Sequence, residues 1–414
     1  MAGAGGVNAA DLRRKIATRV PPGPVTVALS GGADSAVLAW SLADRDDVVA
    51  VTIDHGLPGS AALVAAAERI ASRLGLRHRV VTVAPRSASE GDLRTARLAA
   101  LEAESAGWIV TGHTADDQGE TVLGNLLRGA GPGGLAGIPV RRGHFIRPLL
   151  DVGRAETRAL AAELQLPFAD DPQNDDPAVR RNRIRTETLP ALAAAYNPRL
   201  GDALVRTAAA LAADEETLED RAARVPVRRD EEAVLIPASA LTQLPMAVAA
   251  RVVRRGLRLL LGDHAGDAAA IAAALAAAAG GGVGTLRGGL DAHREGPWLA
   301  IAGPPPPPPE PVDLAATGST RFGPWLIAVG SGGVLVPVSG AARVRAVQAG
   351  DRIEMGQGSK LVAEALREAG VPERLRRRWP VVEERGRIAW VVAIRVAPGG
   401  ARSGVAMSAR RDLQ

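Results

Sequence analysis

The stretch Val25-Thr-Val-Ala-Leu-Ser-Gly-Gly-Ala-Asp-Ser35 restricts the fold more than any other part of this chain. Val25 to Leu29 is a short apolar, β-branched run that fits a buried strand. Ser30 to Ser35 follows at once, and Ala36 to Trp40 reads as an apolar helix. A strand, a glycine turn and a helix in succession aim free backbone N–H groups at an anion. Two adjacent glycines let the backbone approach a phosphate, and Ser30 and Ser35 add hydroxyl donors. Asp34 beside such a site makes chemical sense if Mg²⁺ bridges it to the phosphates. The segment is not a Walker A loop, which needs a lysine after its last glycine. The chain has only two lysines, Lys15 and Lys360, both far away in sequence.

Strand and helix signals then alternate. Strands are expected at 48–53, 80–83, 108–111 and 145–148, and helices at 61–74, 93–106, 116–128 and 153–164. Such alternation predicts an α/β fold: a doubly wound parallel sheet covered on both faces, with ligands beyond the carboxyl ends of the strands. Ser30–Ser35, Asp54-His55-Gly56 and Gly112-His113 all fall there. Residues 167–185 read as a charged connector and 200–278 as helical. Pro304 to Pro309 forms a polyproline spacer. The expected organisation is a nucleotide-binding catalytic domain over 1–195, a mainly helical domain over 196–303, a linker over 304–311 and a small α+β domain over 312–414.

Composition removes several classes of chemistry. The 414 residues contain no cysteine, which leaves out disulfides, thiol nucleophiles and cysteine-ligated clusters. No apolar run is long enough to cross a membrane, and the first residues do not read as a signal peptide. The expected location is the cytoplasm. Lys+Arg total 50 against 45 acids, a net charge of only +5, so arginine placement carries more information than arginine number.

A second dense segment is Thr111-Gly-His-Thr-Ala-Asp-Asp-Gln-Gly-Glu-Thr121. Acids in the first turn of a helix are favoured by its dipole, which is the plain structural explanation. His113, Asp116, Asp117 and Glu120 nevertheless crowd one strand end, and Asp117 and Glu120 are i,i+3 neighbours that can hold an ammonium group or a metal. Further on, Asp171 to Asp175 and the arginines of Arg181-Asn-Arg-Ile-Arg185 read alone as a solvated loop. Beside the other motifs they supply guanidinium groups for phosphates.

These segments, with Arg128-Gly129, Gly134 to Gly137, Gly350 to Ile353, Lys360-Leu361, Arg376 to Pro380 and Ile388 to Val391, resemble the tRNA(Ile)-lysidine synthases. These belong to the PP-loop ATP pyrophosphatases, whose fold is that of the adenine nucleotide alpha hydrolases. The resemblance covers about residues 24–190 and 340–397. It implies a ligase with ATP and Mg²⁺ as cofactors and two substrates, free L-lysine and an isoleucine tRNA with a CAU anticodon. ATP adenylates the C2 oxygen of the wobble cytidine, and the lysine ε-amine displaces AMP to give lysidine. Ser30, Gly31, Gly32, Ala33, Asp34 and Ser35 would hold the pyrophosphate, with Asp34 also on Mg²⁺. Asp54 and Gly112 would border the nucleotide. Asp117 and Glu120 would take the lysine ammonium, and His113 would lie near the adenylate. Arg183 and Arg185 would contact ATP or tRNA. Relatives of this kind are commonly homodimers. Two positions depart from the family pattern: Pro132 in the loop 129–134 and Gln173.

Within the same superfamily, thiolases rely on cysteine, which this chain lacks. An ammonia-fed NAD or guanylate synthetase would not need the C-terminal part. A nucleotide-sensing RNA-binding protein without catalysis would be expected to lose Asp34, Asp117 and Glu120, and all are present.

Overall fold

The computed structural model describes residues 8–57, 59–84, 87, 89–171, 179–230, 233–262, 267–398 and 404–411. Gln173 and the rest of 172–175 lie outside the described residues. The chain divides into two compact units, Met1–Glu216 and Thr217–Gln414. Among the described residues no helix is long and apolar enough to cross a membrane.

The first unit is built on a six-stranded sheet. Its strands are β1 (Val25–Ala28), β2 (Val48–Asp54), β3 (Arg77–Thr82), β4 (Trp108–Val110), β5 (Arg141–Arg142) and β6 (Phe145–Ile146), in the order β3-β2-β1-β4-β6-β5. β1, β2, β3, β4 and β6 are parallel. β5 is an antiparallel edge strand, paired to β6 through a short hairpin. The helices are α1 (Ala9–Arg19), α2 (Ala33–Leu42), α3 (Ser60–Arg73), α4 (Glu90–Glu104), α5 (Ala115–Leu126), α6 (Pro132–Leu135) and α7 (Arg154–Glu163).

Two cores hold the helices on the sheet. On one side Val27, Leu29, Val37, Leu38, Ile70 and Leu160 are buried together. On the other, Leu101 of α4 packs on Val51, Ile109 and Phe145. The doubly wound reading from alternation is the architecture found. Pro132, unusual against the family pattern, occupies the first position of α6, where its missing N–H and fixed φ cost nothing.

The expected connector 167–185 ends differently. Its last part is helical: α8 (Arg180–Arg183) runs through a π-helical turn (Ile184–Thr188) into α9 (Leu189–Ala195). Charged residues hid a helix because its inner face is polar, turned towards acids rather than a core.

In the second unit, helices Ala238–Gln243, Met246–Leu261 and Ala268–Ala278 pack with a five-stranded sheet. Two of its strands, Arg228–Asp230 and Ala233–Pro237, interrupt the stretch expected to be helical. Their short apolar run is bracketed by alanine-rich helices, which masked the change of period. The polyproline segment lies inside this second unit. Beyond it, a seven-stranded and a three-stranded sheet share a core in which Trp325 meets Trp379 edge-on, ring centroids 4.9 Å apart.

α1 is tied to the loop before α7 by Asp151, which accepts from Arg19 at 2.7 Å through both oxygens and pairs with Lys15 at 2.9 Å. Burial opposes ionisation here, but Arg19 and Lys15 hold Asp151 at a pKa of about 2. The folded value lies below the unfolded one, so this stability is present above about pH 4 and is lost as pH falls towards 2. Because the carboxylate is half-exposed, Asp151→Asn is expected to cost only about 1 kcal/mol at neutral pH. The gap between the two proteins should shrink below about pH 4. Urea unfolding across pH checks this, and equal stability at neutral pH would refute it.

Candidate active site

A cleft of about 640 Å³ opens over the carboxyl ends of β1, β2 and β4. Such a volume suits a nucleotide-sized ligand. Its floor is the loop between β1 and α2. Gly31 has φ +86°, and a Cβ there would stand 2.2 Å from the Leu63 carbonyl oxygen, so only glycine fits. Ser35 Oγ donates to the Gly32 carbonyl at 2.9 Å and accepts from the Ser30 N–H at 3.1 Å. The Ser30 hydroxyl also bonds Ser35 Oγ, at 3.1 Å. The loop is thus closed on itself, with α2 starting immediately behind it. Gly112 packs tightly on this turn, since a Cβ would lie 3.1 Å from Asp34 C and Ser35 N.

Asp34 stands in the first turn of α2 and accepts from the Thr157 hydroxyl, with Arg154 Nε 3.8 Å away. Burial pushes its carboxyl up to about 6 despite those two partners.

Asp117 and Glu120 project from the start of α5, both buried. Asp117 Oδ2 closes a capping box, accepting from the Thr114 N–H at 2.7 Å and its hydroxyl at 3.0 Å. Its Oδ1 accepts from Arg154 Nη2 and Arg181 Nη2, each at 2.8 Å. Glu120 accepts from Arg181 Nε at 2.8 Å, Arg185 Nε at 2.7 Å and Arg154 Nη1 at 3.2 Å. Burial alone would raise both carboxyls. For Asp117 the charges of Arg181 and Arg154 outweigh it, and for Glu120 the Arg185 bond does, so both are held below the usual carboxylate range. Asp116 instead accepts from the Arg154 N–H at 2.7 Å. His113 Nδ1 lies 2.8 Å from Thr111 Oγ1, and burial drives its pKa down to about 3, so the ring is neutral.

The cleft is therefore lined by Ser30, Gly32, Ala33, Asp34, Ser35, Gly112, His113 and Asp117, with Glu120 buried behind the arginines. Asp54 is not part of the lining; it accepts from the Gly56 N–H at 2.8 Å, and that bond chiefly holds its pKa down. Arg183 is exposed and also outside the lining, because one turn of helix puts Arg181 and Arg185 on the inner face and Arg183 on the other. The reading of the sequence missed Arg154, which touches Asp117 and Glu120 and approaches Asp34. Its signal was available: a basic residue at the first position of a helix, where the dipole disfavours it, needs compensating acids.

Comparison with known proteins bears on the same residues. The family described as PP-loop domain matches residues 9–192, and the TilS substrate C-terminal domain matches 342–409. The tRNA(Ile)-lysidine synthase of Solibacter usitatus is 32% identical over 426 residues, covering 92% of this chain and 97% of that protein. The chain belongs to the tRNA(Ile)-lysidine synthase family. The lysidine synthase of Salinispora arenicola is 45% identical over 230 residues, 51% of this chain and 69% of that protein. That of Thermobifida fusca is 38% identical over 255 residues, 58% and 78%. A lysidine synthase is an ATP-using ligase.

Three partly buried guanidinium groups share two buried carboxylates, so removing one acid strands partly buried positive charge. Glu120→Gln is expected to lower stability by about 3 kcal/mol. Denaturant unfolding measures this, and a loss near zero would mean that the arginines rearrange freely into solvent.

Proposed function

We propose that this protein ligates free L-lysine to C2 of the wobble cytidine of an isoleucine tRNA with a CAU anticodon. The observation that carries the reading is the meeting, in one cleft, of the Ser30–Ser35 loop with Asp117, behind which Glu120 binds the same arginines, in a chain matched to a lysidine synthase along 92% of its length. ATP would lay its β- and γ-phosphates on the loop. The C2 oxygen of cytosine attacks the α-phosphorus, and pyrophosphate leaves. The lysine ε-amine then attacks C2, the C2–O bond breaks, AMP departs with that oxygen, and the amine proton goes to solvent or a nearby base. Arg181 and Arg185, on the inner helix face, replace Arg183 as the arginines suited to ATP or RNA phosphate.

Mg²⁺ fits Asp34: a single carboxylate beside a phosphate site, as expected for an ion that keeps several waters and shares substrate oxygens. Among the described residues no group of three or more His, Asp or Glu forms a ready-made cage. Bound there, the ion would neutralise charge on the phosphates.

Asp117 and Glu120 are held ionised, which suits them to bind an ammonium rather than to take its proton. They are also already paired with Arg154, Arg181 and Arg185. Adding a lysine cation to that set is unfavourable until an anion draws arginine charge away. ATP is that anion, so lysine binds after it. Isothermal titration is expected to give lysine affinity at least tenfold higher with a non-hydrolysable ATP analogue and Mg²⁺ than without; equal affinity would reject the ordering.

The direct test incubates the protein with Mg-ATP, radiolabelled lysine and either isoleucine tRNA (CAU) or methionine tRNA. Label is expected only in the former, with AMP and pyrophosphate released. Asp34→Ala should abolish incorporation while tRNA binding stays within about twofold. Label in both tRNAs or in neither would reject the reading, and full activity of the variant would reject the role of Asp34.

A further inference from the structure

The wall of the cleft opposite α7 carries a group that this chemistry leaves unused. Arg147 follows β6 directly and is only 3% exposed. One nitrogen, Nη1, donates to the Pro139 carbonyl at 2.9 Å, and the guanidinium lies 6.0 Å from the Phe145 ring centroid. Its Nε is buried with no partner. Among the described residues no carboxylate pairs with it. Burial, then Arg94 and Arg142, push its pKa down to about 10, so the charge persists at neutral pH among like charges.

A buried arginine with a structural job looks different in this same protein. Arg345 is as buried and binds both Glu383 and Asp351. Arg374 reaches Asp230 at 2.5 Å and Glu295 at 3.0 Å. An unpaired, desolvated cation is costly unless something anionic completes it. Arg147 also lines the cleft, together with Arg94 and Arg97, which sit one helical turn apart on α4. Apolar Val51, Ile53, Leu98 and Leu101 line the cleft as well, a surface that suits a nucleobase.

We infer that Arg147, with Arg94 and Arg97, forms a second phosphate-binding point in the cleft, separate from the Ser30–Ser35 loop, for a backbone phosphate of the RNA strand carrying the target base. The loop already supplies donors for the phosphates of ATP, and the RNA must bring its own charge when a base enters beyond it. The inference rests on the reading that the substrate is tRNA.

The test compares the full-length protein with Arg147→Gln and Arg147→Lys, using isoleucine tRNA (CAU) transcript. Filter binding at about 50 to 200 mM salt gives tRNA affinity and its salt slope, and lysine incorporation gives the KM for ATP. Arg147→Gln is expected to weaken tRNA binding about tenfold. The slope of log K against log salt should fall by about 0.7, with the KM for ATP unchanged. Arg147→Lys should keep the slope while losing part of the affinity. A rise in the KM for ATP with an unchanged slope would keep the site but assign its phosphate to the nucleotide. If neither quantity moves and the melting temperature alone falls, Arg147 merely braces the β5–β6 hairpin and the inference is overturned. Should Arg147→Gln fail to fold, the exposed Arg94→Gln carries the same test, and an unchanged slope and KM there overturn it equally. A wild-type protein that binds tRNA with the arginine-dependent slope yet never incorporates lysine would sink the ligase reading and leave the phosphate site standing.

Discussion

The set of buried Asp117 and Glu120 with partly buried Arg154, Arg181 and Arg185 is the interaction on which the first unit depends. It joins three helical segments: the start of α5, the start of α7 and the α8–π turn. None of these charges is tolerable alone in a buried place, and each is tolerable because of the others. The carboxylates are kept ionised by the arginines, and the arginines are held at the cleft by the carboxylates. The π-helical turn at Ile184–Thr188 fits this arrangement, since an extra residue in the turn re-aims the side chains that precede and follow it.

The loop between β1 and α2 works by the opposite means. It uses almost no charge. Gly31 adopts a conformation closed to other residues, packed against the Leu63 carbonyl, and Ser35 stitches the turn to the start of the helix. Backbone donors fixed in this way need no reorganisation when an anion arrives. Asp34 is the single acid at that place, and its partial burial raises its pKa.

Much of this was legible in the sequence, for identifiable reasons. The parallel sheet followed from short β-branched runs alternating with amphipathic helices, a pattern that two-sided burial enforces. The loop was legible because glycines and hydroxyls at that spacing have few other uses. What escaped was long-range and polar. Arg154 looked like one more arginine among 50 basic residues, and nothing local says that it meets Asp117 and Glu120. The helix of Arg180–Arg183 was hidden because its inner face seeks acids rather than apolar surface, so the usual periodicity was absent. Nothing in the local sequence distinguishes Arg183 from Arg185, and only the helix geometry separates them. The strands Arg228–Asp230 and Ala233–Pro237 were lost between alanine-rich helices for want of length.

The scarcity of lysine acquires a chemical meaning in this setting. Both lysines are engaged away from the cleft, Lys15 with Asp151 and Lys360 with Glu368, and apart from His113 the basic side chains lining the cleft are arginines. An adenylated cytidine is an electrophile waiting for an amine. A lysine in the wall, its pKa lowered by burial among cations, would present the same nucleophile as free lysine. A guanidinium offers the same positive charge to phosphate but stays protonated and does not attack. Arginine therefore supplies the electrostatics of the site without its reactivity. A protein whose substrate is lysine has reason to keep its own lysines elsewhere.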